Sequence, residues 1–122
     1  MPRSVLMLRK LAFAAGCLCI PVIVWLSLIP REWEVRTGLA GQIEHVIAYA
    51  GTGAVLALGL PRPAGWRLIA SLTALAVALE VGQIWVPGRT SQVIDALASI
   101  SGAGLGVLAG SALRRLLLRR MA

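Results

Sequence analysis

Four apolar runs, with arginine and lysine gathered mainly at their ends, constrain this chain more than any other feature. A membrane-spanning helix takes about 20 predominantly apolar residues. The runs predict spans at about 11–29, 43–60, 68–86 and 93–113. The first lies between Arg9-Lys10 and Pro30-Arg31, with Pro21 near its middle predicting a kink. The second is interrupted at its start by Glu44, His45 and Tyr49 and ends at Pro61-Arg62-Pro63. The third runs from Trp66-Arg67 to Pro87-Gly88. The fourth opens near Ser91, a residue type suited to an N-cap, and its helix continues to Leu118. Composition agrees: 58% of residues are hydrophobic and only 14% charged, where soluble domains carry roughly a quarter charged. The expected fold is all-α, an integral membrane four-helix bundle forming a single domain over residues 1–122.

The basic residues give the orientation. Nine of them (Arg3, Arg9, Lys10, Arg62, Arg67, Arg114, Arg115, Arg119 and Arg120) fall on the side of the N-terminus, second loop and C-terminus. Three (Arg31, Arg36 and Arg89) fall in the first and third loops. Positive charge concentrates on the cytoplasmic side, so both termini are expected in the cytoplasm of a multi-pass protein of the inner (plasma) membrane. The net charge of +7 does not point to nucleic acid, because the arginines flank apolar runs and face anionic headgroups rather than forming a soluble basic patch. Membrane lipids are the expected partners. Trp25, Trp33, Trp66 and Trp85 sit near span ends, as interfacial belts do. Cys17 and Cys19, two residues apart on one helix, point in different directions and are not expected to pair.

With this orientation, the conspicuous polar residues of the last three helices fall at one level, the outer leaflet. Glu44, His45 and Tyr49 open the second helix, Glu80 and Gln83 close the third, Arg89 follows, and Asp95 opens the fourth. Glu80 lies six residues before Val86, about 9 Å inside that end at 1.5 Å per residue. A carboxylate at that depth needs a partner, and Arg89 or His45 is expected to be it. Asp95 gains from the positive end of the fourth helix's dipole. Helical periodicity collects His45, Tyr49 and Thr52 on one face, Thr73, Ala76, Glu80 and Gln83 on another, and Asp95, Ser99, Gly102, Gly106 and Gly110 on a third. The last three form overlapping GxxxG steps for close helix packing. The expected site is an outward-open polar pocket lined by His45, Tyr49, Glu80, Gln83, Arg89, Asp95 and Ser99. Glu44 points about 100° away from His45 and is expected to be solvated instead.

The succession Ile43-Glu44-His45-Val46-Ile47-Ala48-Tyr49, Glu80-x-x-Gln83, Pro87-Gly88-Arg89, Asp95 and Gly102-x-x-x-Gly106 resembles the VanZ-like membrane proteins over about residues 41–110. Two positions depart from that pattern: Gly41-Gln42 stands where the family usually has Asp-Lys, and Ser99 where it tends to have Asn. The resemblance implies a bacterial cell-envelope protein, with a link to glycopeptide (teicoplanin) resistance through the family's founding member. It brings no established activity. The first functional expectation is a pocket that binds an envelope lipid or a lipid-linked cell-wall precursor, with Arg89 meeting a phosphate or carboxylate. The second is a small membrane enzyme using His45 with Glu80 or Asp95 as acid and base, a metal on His45 and two carboxylates being its weaker form. No metal ligands and no cofactor are assigned. A structural partner of another membrane protein, an oligomer or a small transport subunit complete the alternatives.

Overall fold

The computed structural model describes residues 1–63 and 65–121. Four α-helices account for most of them: α1 Arg3–Leu28, α2 Gly41–Gly59, α3 Gly65–Gly82 and α4 Val93–Arg119. Single 3-10 turns at Arg31–Trp33 and Gln83–Trp85 follow α1 and extend α3. The all-α four-helix bundle expected from the apolar runs is present. The boundaries of α2 and α3 differ from the expected ones by at most four residues, and that of α1 by more. α1 begins at Arg3 rather than near Leu11, because no proline or glycine in Ser4–Lys10 stops it. It also continues unbroken as a helix through Pro21. At the start of α4 the N-cap is Gln92, not Ser91, whose hydroxyl instead donates to the Glu80 carbonyl at 2.8 Å.

Three helices are long and apolar enough to cross a membrane: α1, α3 with its 3-10 extension, and α4, with peak mean hydropathies of 2.3, 1.7 and 1.6. α2 does not reach that level, because Gln42, Glu44 and His45 dilute its first turns. Its position in the bundle also sets it apart. α2 is the central helix, packed most extensively on α4 and next on α1, while α3 leans chiefly on α4. Tyr49, Thr52, Gly53 and Leu56 to Gly59 of α2 are all buried. At 19 residues it is roughly 28 Å long, close to the thickness of a hydrocarbon core. Leu11, Leu18, Val22, Val77, Val81, Leu105 and Leu108 are exposed around the bundle, the distribution expected where lipid is the solvent.

The α2–α4 contact is built from glycines. A Cβ at Gly102, Gly106 or Gly110 would collide with the backbone carbonyl of Val46, Ala50 or Ala54 respectively. Each step of four residues on α4 thus matches a step of four on α2. Gly53 reciprocates, lying against Ala103 and Val107. The glycine face is therefore used inside the chain, which removes it as a surface for another membrane protein. Beside it, Ala103, Val107, Leu72 and Ala76 form the dry centre, each no more than 3% exposed.

At the end of the bundle that carries the termini, two arginines do something other than face headgroups. Arg9 of α1 donates to the carbonyls of Leu60 (2.7 Å) and Leu58 (3.4 Å). Arg114 of α4, only 7% exposed, donates to Leu60 (2.6 Å) and Pro61 (3.0 Å). The last carbonyls of α2 have no partner within the helix, and Pro61 and Pro63 have no N–H to offer. The guanidinium groups supply those hydrogen bonds and complement the negative end of the helix dipole.

Candidate functional site

The opposite end of the bundle gathers the C-termini of α1 and α3, the N-termini of α2 and α4, and the loops joining them. The two loops are tied together, since the Arg31 N–H donates to the Pro87 carbonyl at 3.3 Å. Gly88 makes the crossing feasible: it has φ +74° and lies against the Arg31 side chain, a backbone conformation that favours glycine.

α1 ends at Leu28 with its last carbonyls unpaired, and Pro30 blocks continuation. Three of those carbonyls are satisfied from the far side of the bundle. Gln83, 5% exposed, donates to Ser27 at 3.0 Å. Arg89 donates to Ile29 through Nε at 3.0 Å and to Leu26 through Nη2. Its remaining arm meets Glu34 Oε1 at 3.1 Å, in a pair whose side chains are 12% and 20% exposed. Through these three bonds Arg89 holds the end of α1 and the loop beyond it.

The expected partner of Glu80 is corrected by the same geometry. Neither Arg89 nor His45 pairs with it; Glu80 Oε1 accepts the backbone N–H of Gln92 at 2.7 Å. Gln92 is the N-cap residue of α4, where a carboxylate is favoured by the exposed N–H groups and the dipole. Ser99 is also corrected: it is buried at 4% exposure on the packed face of α4 and lines neither chamber described below. Glu80 lines neither as well.

The remaining expected residues do converge. Asp95, in the first turn of α4, accepts from Gln42 Nε2 at 3.0 Å and lies 3.8 Å from His45 Nδ1. That nitrogen is buried with no hydrogen-bond partner. Glu44 is not simply solvated; its Oε1 accepts the Thr37 hydroxyl at 2.6 Å and the Thr37 N–H at 3.0 Å, fixing the loop to α2.

Two adjoining chambers open here. One, of about 290 Å³, is mainly apolar: Ile23 and Leu26 of α1, Val35 and Leu39 of the loop, and Ile47, Ala48 and Tyr49 of α2 line it. The other, of about 400 Å³, is polar, with Arg31, Arg36, Gln42, Gln92 and Asp95 in its wall. Glu34, Glu44, His45, Gln83 and Arg89 belong to both walls, so the two form one amphipathic recess. Glu34, Gln42, Arg31 and Arg36 were not anticipated as site residues. Gln42 had a signal, standing three residues before His45 on the same helical face. Arg31 sits in a single 3-10 turn and Glu34 and Arg36 in the loop after it, where periodicity says nothing. Among the described residues no group of three His, Cys, Asp or Glu side chains is placed to hold a metal ion. Comparison with protein-family models, curated proteins and solved structures finds no match to this chain.

Proposed function

We propose that this chain is a multi-pass inner-membrane protein, both termini cytoplasmic, that holds an envelope amphiphile in an outward-facing recess. The observation that carries the reading is the sharing of five residues, Glu34, Glu44, His45, Gln83 and Arg89, between an apolar and a polar chamber. Water-soluble ligands have no use for the first, and a hydrocarbon has no use for the second. A lipid or lipid-linked cell-wall precursor uses both. Orientation is supported by charge: nine of the twelve basic residues lie toward the end with the termini and the second loop, and three toward the end with the first and third loops. The likeness of residues 41–110 to the VanZ-like proteins supports an envelope role connected with glycopeptide resistance. Native mass spectrometry of the purified protein tests the binding. Lipid should remain bound to the wild type and be lost from Ala48→Phe, which fills the apolar chamber. Equal retention by a folded Ala48→Phe variant would reject the reading.

A second reading, a small membrane enzyme, draws on the 3.8 Å approach of His45 to Asp95. In it His45 acts as the base and Asp95 as its orienting carboxylate. Glu80, engaged at the start of α4, has no part. Turnover of a lipid-linked substrate abolished by His45→Gln without loss of binding would favour this reading; unchanged binding with no turnover in the wild type would favour the first.

A further inference from the structure

The charged groups in the polar chamber divide into those already paired and those that are not, and the unpaired set specifies a headgroup. Glu34 and Arg89 neutralise one another, and each of the three Arg89 side-chain nitrogens already donates one hydrogen bond, to Glu34, Ile29 and Leu26. An anion meeting the N–H groups that Arg89 has left would find a charge that Glu34 already neutralises, so the open cations are the stronger anion partners. Four charged side chains remain: Arg31 and Arg36 of the loop, Glu44 of α2 and Asp95 of α4. Among the described residues neither arginine forms an ion pair. Asp95 has only the neutral Gln42 amide as a hydrogen-bond donor, with His45 beyond bonding distance at 3.8 Å. Glu44 receives both its hydrogen bonds on Oε1, leaving Oε2 open. Two cations and two carboxylates thus share one chamber without pairing with each other.

We infer that the recess recognises a zwitterionic aminophospholipid, its phosphate against Arg31 and Arg36, its ammonium against Asp95 and Glu44, and a chain in the apolar chamber. The inference rests on the amphiphile reading above and names the headgroup. A purely anionic headgroup would satisfy the arginines and meet the carboxylates with like charge. A choline headgroup carries the right charges but no N–H, so it leaves carboxylate oxygens unsatisfied. A primary ammonium offers three donors and meets both requirements. The cavity's apolar half, lined by Ile47, Ala48 and Leu39, distinguishes the intact lipid from the free headgroup.

The test offers the detergent-purified, delipidated full chain equal amounts of phosphatidylethanolamine, phosphatidylglycerol and phosphatidylcholine with the same acyl chains, and separately glycerophosphoethanolamine. Native mass spectrometry reads the bound fraction. Phosphatidylethanolamine should exceed each of the other lipids by about fivefold, the effect of roughly one partly exposed charge pair. Glycerophosphoethanolamine should not bind. Asp95→Asn should remove the preference over phosphatidylglycerol without abolishing lipid retention; Glu44→Gln provides the same readout if Asp95→Asn does not fold. The Arg31→Ala/Arg36→Ala double variant should weaken phosphatidylethanolamine and phosphatidylglycerol together. Phosphatidylglycerol held as well as phosphatidylethanolamine, or a preference surviving both carboxylate variants, would overturn the headgroup assignment while leaving the amphiphile reading standing. Binding of free glycerophosphoethanolamine at the same strength would overturn the lipid as its source. A wild type that retains no lipid at all would overturn both.

Discussion

Arg89 and Gln83 satisfy hydrogen bonds that α1 leaves open, at Leu26, Ser27 and Ile29. Both were legible in the sequence as members of a polar cluster, because glutamine and arginine near the end of an apolar helix need partners. Their role was not legible, because the partners are backbone carbonyls of a helix some 60 residues away in sequence. The same applies to Arg9 and Arg114, which look like headgroup-facing flanks until α2 ends beside them. Arg89→Ala should cost about 3 kcal/mol, since it leaves Glu34 without its partner and carbonyls without donors. Arg89→Lys should recover little of that, having one point charge in place of a planar fork. Thermal unfolding in detergent measures both, and a lysine variant as stable as the wild type would contradict this role. Glu80 gives a contrasting expectation. Glu80→Gln keeps an oxygen to accept the Gln92 N–H and should preserve lipid retention; Glu80→Ala should lose about 1 kcal/mol of stability as a missing cap. A sharp fall in lipid binding for Glu80→Gln would mean that the carboxylate reaches the ligand.

Among the elements, α2 and α4 set the geometry on which the site depends. Their glycine-mediated approach fixes His45 and Gln42 on one helix relative to Asp95 on the other. Gly102, Gly106 and Gly110 were readable in advance as a packing face from their spacing alone, and the helices themselves from hydropathy. What spacing cannot supply is the identity of the facing surface, here Val46, Ala50 and Ala54. It also cannot show that α2, whose first turns carry Gln42, Glu44 and His45, is the central helix. The glycines of α4 are therefore not equivalent. Gly106→Ala drives a methyl group into the Ala50 carbonyl and should destabilise by about 1–3 kcal/mol. Gly104 has open space where its Cβ would go, so Gly104→Ala should be neutral or stabilise by up to about 1 kcal/mol. Unfolding of the two variants side by side checks the difference, and equal destabilisation would contradict the assigned α2–α4 interface.

For the whole molecule, charge and polarity are polarised along the bundle axis. One end concentrates arginine around the close of α2; the other joins acidic, basic and amide side chains around an amphipathic recess. The proposed orientation puts that recess at the outer surface. A single cysteine at Trp33 in a chain lacking Cys17 and Cys19 should then be labelled on intact cells by an impermeant maleimide; labelling only after lysis would reverse the topology. The central claim, that an amphiphile occupies the recess, is tested most directly by reconstituting the protein with a lipid carrying a photoactivatable group in its acyl chain and mapping the cross-linked residues. The account predicts cross-links concentrated at Leu39, Ile47 and Ala48, diminished in Ala48→Phe. Cross-links spread evenly over the outward faces at Leu18, Val77 and Leu105, with none enriched in the recess, would contradict it.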